Sequence, residues 1–278
     1  MPLDRKKAVP GGLTCPGQAA QFDGYRVQNG ERSSTDTSGT SIFDPVLCEL
    51  VYRWFCPEGG KVLDPFAGGS VRGIVAAVLG REYVGIDLRP EQVAANVEQA
   101  DVILQGAPIS PRWIVGDSRR VVSLAPGEYD LLFSCPPYAD LERYSDDPAD
   151  LSTLDYPEFL EAYREIIAKS LSMLAPDRFA AFVVGDVRDR KGFYRGFVCD
   201  TVRAFEDAGA RLYNEAVLVT AVGSLPIRVG KQFGNYRKLG KTHQQLLVFF
   251  NGDPATIPAI YGGDCEFGDL GDDNAAED

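Results

Sequence analysis

The chain has 278 residues, 45% of them hydrophobic, and its 40 acidic against 28 basic side chains leave a formal net charge of −12. This length and apolar content suit one large domain with its own core, and without any run of about 18 apolar residues no membrane-spanning helix is expected. Six scattered cysteines with no Cys-x-x-Cys pair, a lone His243 and a polar start argue against a zinc site or a secretory leader, and predict a reduced, cytoplasmic, metal-free protein.

Residues 1–38 are rich in Gly, Ser, Thr and Pro and read as an irregular arm. Ser41-Ile42-Phe43-Asp44-Pro45 then leads into a helix, with Val46, Leu47, Leu50, Val51 and Trp54 at helical spacing. Residues 61–87 carry the main signal. Val62 and Leu63 run into Asp64, and a small-residue loop follows, Pro65-Phe66-Ala67-Gly68-Gly69-Ser70. An apolar helix over 74–79 closes at Gly80, and a second apolar run ends on Asp87. Strand, glycine loop, helix and strand, with an acid ending each strand, is the layout of a nucleotide-type pocket at the carboxyl edge of a parallel sheet. Glycines let the backbone approach a ligand, and the second acid can accept from ribose hydroxyls. The loop lacks Gly-x-Gly-x-x-Gly and no Lys-Ser/Thr pair follows it, which disfavours a dinucleotide or a triphosphate. A glycine turn in some other α/β domain is the plainer alternative.

A helix over 89–104 and a short strand at 113–115 come next, the strand ending at Gly116-Asp117-Ser118. Asp117 or Ser118 can cap the helix over 119–124. The fourth strand, 129–133, runs into Ser134-Cys135-Pro136-Pro137-Tyr138. Two prolines make a stiff corner without N–H donors, and the tyrosine can stack on a base. Residues 139–155 are acidic and read as a solvated lid, since their aspartate spacing fits no calcium loop. A long amphipathic helix over 156–174, a strand over 178–184, a helix over 194–208 and strands over 212–222 and 245–250 complete the pattern. The last two strands are too close for a crossover helix and are expected to pair antiparallel. Residues 223–244 between them carry Arg228, Lys231, Arg237, Lys238 and Lys241 with Phe233, Tyr236 and no acid. They read as a flexible basic loop, either a nucleic-acid clamp or a plain hairpin excursion. From Asp253 to the end there are eight acids and no Lys or Arg, an acidic tail expected to be disordered.

Asp64-Pro65-Phe66-Ala67-Gly68-Gly69-Ser70 resembles the first motif of the S-adenosylmethionine-dependent DNA amino-methyltransferases, which act on adenine N6 or cytosine N4. Ser134-Cys135-Pro136-Pro137-Tyr138 resembles their catalytic Asp/Asn/Ser-Pro-Pro-Tyr/Phe motif. The resemblance spans roughly residues 41–250. It implies a Rossmann-like, seven-stranded class I methyltransferase sheet, α/β in class, mostly parallel with an antiparallel last pair. That domain would occupy 39–252, between the arm (1–38) and the tail (253–278). The resemblance further implies S-adenosylmethionine held by Phe43, Pro45, Asp64, Phe66, Ala67, Gly68, Ser70 and Asp87, with Asp117 at the adenine. Ser134, Cys135, Pro136 and Pro137 would accept from the amino group of a flipped base stacked on Tyr138.

Cys135 departs from the family pattern, because a thiol is a weak acceptor. It keeps open a cysteine nucleophile for cytosine C5 chemistry and a non-catalytic, methyltransferase-like subunit; an RNA or protein methyltransferase stays open as well, because the resembling Pro-Pro-Tyr motif also serves those substrates. The motif order excludes the permuted layout, and neither the inter-motif segment nor the tail has room for a large recognition domain. A short target, as in small methylases of bacteriophages that protect against restriction, is what the resemblance implies. DNA is the expected partner, and a homodimer is left open.

Overall fold

The computed structural model describes residues 43–138, 147–219 and 225–262. The arm at 1–38, part of the acidic lid (139–146) and the tail from 263 lie outside the described residues. The described chain runs α1 (Pro45–Phe55), β1 (Lys61–Asp64), α2 (Val71–Val78), β2 (Glu82–Asp87), α3 (Pro90–Ile103), β3 (Arg112–Val115), α4 (Val121–Leu124) and β4 (Tyr129–Ser134). It continues through α5 (Tyr156–Leu171), β5 (Leu174–Val184), α6 (Phe197–Asp207), β6 (Arg211–Val219), α7 (Leu225–Tyr236), β7 (His243–Asn251) and α8 (Ile257–Tyr261). Local chemistry sets several starts. Asp44 caps α1 by accepting from Val46 N at 2.8 Å, with Pro45 in the first turn, where a missing N–H costs nothing. Asp155 caps α5 by accepting from Glu158 N at 3.0 Å.

The strands form one sheet in the order β3-β2-β1-β4-β5-β7-β6. All neighbours are parallel except β7, which is antiparallel to both β5 and β6. The chain winds outward from β1 to β3, then returns to place β4 on the other side of β1. That reversal opens a crevice beyond the carboxyl ends of β1 and β4, where the two motif loops emerge.

Successive residues of the central strands point to opposite faces. Leu63, Leu132, Phe182 and Phe249 join Phe159, Tyr163, Phe197 and Phe205 of α5 and α6 in one core. Val62, Leu131, Phe133, Ala181 and Val248 join Cys48, Val51 and Tyr52 of α1 and Ile74 and Ala76 of α2 in the other. Phe205 and Phe249 stack with centroids 4.0 Å apart. No described helix is long and apolar enough to cross a membrane.

Three elements differ from expectation. Residues 225–236 form a helix rather than a flexible loop. Leu225, Val229, Phe233 and Tyr236 repeat at helical spacing, and Pro226 lies in the first turn. The glycines between them obscure that period. Helix α6 starts at Phe197 rather than 194, because Gly196 (φ 77°) and the residues before it close a separate turn. Residues 253–262, placed in the tail from sequence, fold into a 3-10 turn and α8. Asp253 N donates to Asp177 Oδ1 at 2.8 Å, and the Tyr261 ring packs 5.0 Å from Phe179.

Burial pushes the Cys48 and Cys56 thiols up to about 12, whereas Cys199 is exposed. Thiolates react and thiols do not. Iodoacetamide at pH 8 should therefore modify Cys199 in the native protein and reach Cys48 and Cys56 only in urea, as read by peptide mass mapping. Equal native labelling of all three would contradict this packing.

Candidate active site

Asp64 ends β1 with no exposed surface and accepts from four groups. Oδ2 takes Arg72 Nε at 2.6 Å and the Tyr83 hydroxyl at 2.7 Å. Oδ1 takes the Ser134 hydroxyl at 2.5 Å and Phe66 N at 3.1 Å. Arg72, also buried, donates through Nη2 to Phe66 O (2.8 Å) and Ala67 O (2.9 Å), and its guanidinium lies 4.6 Å from the Phe43 ring centroid. Burial opposes the Arg72 charge, but Asp64 and its neighbours outweigh it, and the guanidinium is held protonated above its ordinary range. The same environment, burial foremost, drives the Tyr52 and Tyr83 hydroxyls well above theirs. Asp64, expected at the cofactor, is instead enclosed by protein donors and shapes the glycine loop from behind. Arg72, Tyr83 and Tyr52, which donates to Arg72 O at 2.7 Å, carry that loop and were not singled out from sequence. An arginine inside the apolar stretch 71–78 was the available signal.

Asp87 ends β2 beside the loop. Its Oδ2 accepts from Gly68 N at 3.0 Å and its Oδ1 from Arg89 N at 2.9 Å. Burial raises its pKa, and these donors work against the rise. Gly68 has φ 51°, and its carbonyl accepts from Asn96 Nδ2 at 2.7 Å. A Cβ on Gly68 or Gly69 would meet nothing within 4 Å, so the loop faces open space. Gly85 is different, since a Cβ there would stand 2.8 Å from the Ala67 methyl. Its absence lets the loop lie on β2. Ser70 is buried and donates to Gln99 Oε1 at 2.5 Å. Asp117 caps the following 3-10 turn and pairs with Arg119 at 2.8 Å. The Ser118 hydroxyl donates to Pro65 O.

The second motif leaves β4 beside the first. Ser134 is fully buried, and its hydroxyl both donates to Asp64 and accepts from Phe66 N at 3.2 Å. It thereby joins the two motif loops and is not open to a base. Cys135 is half-buried against the α1-side core. The Tyr138 ring meets Phe197 edge-on at 6.1 Å, and its hydroxyl accepts from Gln244 Nε2. Phe43 lies 5.8 Å from Phe133 and packs against the α1-side core, while Pro45 is exposed at the helix start.

The basic insert is dispersed. Phe233 and Tyr236 are exposed, and Arg237 stands 5.3 Å from the Phe233 ring and Lys238 5.4 Å from the Tyr236 ring. Lys241 is partly buried, and desolvation lowers its pKa against the pull of Asp186. Arg228 and Lys231 lie on α7, with side chains outside the described ones. Among the described residues no cluster of three His, Cys, Asp or Glu could hold a metal.

Breaking a buried ion pair by removing one partner costs about 3–5 kcal/mol. Arg72→Leu should lower unfolding stability by about that amount in urea denaturation; a loss under about 1 kcal/mol would show the pair to be dispensable.

Residues 22–98 match the family model described as DNA methylase. Over 59 residues the chain is 37% identical to the type II methyltransferase M.SmaI of Serratia marcescens, a stretch covering 21% of this chain and 20% of that relative. Among solved structures, TrmN from Thermus thermophilus superimposes with a TM-score of 0.51 at 16% identity, over 77% of this chain and 51% of its own. A methyltransferase from Pyrococcus furiosus gives a TM-score of 0.49 at 13% identity, over 77% and 85%. The chain thus spans a fifth of its curated relative and about half of TrmN. Strand order and the likeness to TrmN show a Rossmann-like class I methyltransferase fold, and residues 22–98 are similar to the DNA methylase family model.

Proposed function

We propose that the chain transfers a methyl group from S-adenosylmethionine to the exocyclic amino group of a DNA base, adenine N6 in the first instance and cytosine N4 in the second. The observation that carries this reading is the junction of the two motif loops. Asp64 of the first and Ser134 of the second share a 2.5 Å hydrogen bond at the sheet's reversal point. That junction supports a reading in which a cofactor pocket and a base-accepting corner share one crevice. The partial likeness to a type II methyltransferase supports a modification role in a restriction-modification setting.

The residues suit the cofactor. The loop at Gly68 and Gly69 has open space above it, and a raised-pKa carboxylate, Asp87, stands at its side. Asp87 is aimed by Gly68 N and Arg89 N and retains lone pairs for ribose hydroxyls. Phe43 and Phe66 supply apolar walls, and Asp117 can accept from an adenine amine at its free lone pairs. When bound, S-adenosylmethionine supplies an electrophilic methyl group. Asp64 and Ser70 act through the loop they brace rather than by touch.

For the base, Pro136 and Pro137 stiffen the corner, and its carbonyls accept the amino hydrogens, since the Cys135 thiol accepts weakly and the Ser134 hydroxyl is engaged. Accepting those hydrogens draws the nitrogen lone pair out of the ring and orients it for direct attack on the methyl group, the methyl–sulfur bond breaking to release the thioether and the surplus amino proton passing to solvent, without an enzyme-bound intermediate. A base inside a duplex must leave the stack, at roughly a few kcal/mol. Stacking on Tyr138, whose hydroxyl Gln244 holds, offsets part of that. Cys135 in place of the usual acceptor favours a second reading, a subunit that binds without turnover.

The decisive experiment incubates the protein with methyl-labelled S-adenosylmethionine and unmodified duplex DNA, then identifies labelled nucleosides. Label in N6-methyladenine or N4-methylcytosine is expected. Label in 5-methylcytosine would make Cys135 a nucleophile, and a bound cofactor with no label on DNA would refute the reading. Tyr138→Ala should cut turnover while cofactor affinity persists, and equal loss of both would remove its stacking role. Asp87→Ala should weaken cofactor binding about tenfold or more, as loss of charge-assisted hydrogen bonds does.

A further inference from the structure

Between β5 and α6, residues 187–195 form a braced finger. Arg188 and Tyr194 pair as an antiparallel bridge, Asp189 N donates to Phe193 O at 2.8 Å, and Arg195 N donates to Val187 O at 3.0 Å. Arg188 donates to Gly192 O at 2.8 Å with its guanidinium 3.8 Å from the Tyr194 ring centroid. The Asp189 carboxylate accepts from Phe193 N at 2.8 Å. Despite this bracing, Phe193 is 71% exposed.

The finger leans on the end of α7, close enough that a Cβ on Gly192 would stand 2.6 Å from the Lys238 side chain. A groove of about 980 Å³ lies between them. Arg188, Arg190 and Lys191 line it from the finger and Arg237 and Lys238 from the helix end, and among the described residues no acid lines it. In a chain of net charge −12, five cations around one groove concentrate positive potential. Phe193, Tyr194 and Tyr236 add rings to the same walls. A second groove, of about 590 Å³, shares Arg190 and Lys191, so the finger tip stands between two troughs.

Both walls continue into residues beside Tyr138. The finger rises from β5 just past Gly185, where a Cβ would lie 3.9 Å from the Tyr138 ring. Helix α7 leads into β7 at Gln244, which holds the Tyr138 hydroxyl. Val184 and Gln245 are paired in the sheet.

We propose that this groove binds the duplex flanking the target base, an inference that rests on the DNA-methyltransferase reading. The five cations neutralise phosphates, and Phe193 wedges into the base stack, as apolar side chains do where proteins kink DNA.

The test is binding of the full chain to a fluorescein-labelled 20-base-pair duplex, followed by anisotropy over a series of salt concentrations. Arg190→Gln and Lys238→Gln should each flatten the plot of log K against log salt by about 0.9, one phosphate contact apiece. Phe193→Ala should bind about tenfold more weakly with the slope unchanged, the size of one base–aromatic contact. Thermal melting should match the parent for Arg190→Gln and Phe193→Ala, whose side chains are exposed. Unchanged slopes in both glutamine variants, or parental affinity in Phe193→Ala, would overturn the proposal, as would tighter binding to RNA of the same sequence. The nucleoside-labelling experiment separates the two failures. DNA methylation with groove variants that bind like the parent sinks the groove alone. Groove-dependent binding without methylation sinks the enzyme reading alone.

Discussion

Asp64 and Arg72 face each other at 2.6 Å where almost no solvent reaches either. Desolvating two charges is costly, and such a pair persists only when the remaining donors and acceptors are satisfied. Here they are met by Tyr83, Ser134 and Phe66 N on one side and by the Phe66 and Ala67 carbonyls on the other. The pair ties β1, its loop, α2, β2 and the end of β4 to one point. Removing it would release the glycine loop and the second motif together, which is why we regard it as the constraint on which the site's geometry depends.

The fold makes that junction available. Only where strand order reverses, between β1 and β4, do two loops from distant stretches of chain leave neighbouring strands on the same edge with no crossover helix between them. The antiparallel β7 extends this edge. It brings Gln244 beside Gly185 and so adds to Tyr138 a support that a purely parallel sheet would lack. The proposed chemistry needs a rigid aromatic and rigid carbonyls, and both come from strand ends rather than free loops.

Charge is distributed along the same edge. The protein is acidic overall, yet the described cations of the finger and the α7 terminus gather on one side of the crevice. Net charge governs solubility and long-range steering, whereas local clusters govern which surface a polyanion meets. The helical state of 225–236 matters here, since a helix end holds Arg237 and Lys238 at defined places where a loop would not.

Periodicity and turn residues in the sequence were sufficient for the seven strands, the antiparallel last pair and the two motif loops, because alternation and Gly/Pro punctuation are local properties. Local chemistry also marked Gly68, Asp87 and Pro136, whose positions at a strand end or tight corner follow from residue type. Partners far apart in the chain were not so marked. Ser134 reads as a base acceptor until the fold places Asp64, 70 residues away, at its hydroxyl. Arg72 is only a charge in an apolar stretch until burial closes over it, and the segment between the strand ending at 184 and the helix expected from 194 shows no turn until Phe193 and Asp189 bond across it. The helix at 225–236 was hidden by its glycines, whose low helix propensity argues against a helix in that stretch. Local pattern thus determined the elements and their order. Which polar groups are consumed inside the protein, and which are left to meet a ligand, was decided only when the sheet brought distant strand ends together, since a hydrogen bond depends on separation in space and not along the chain.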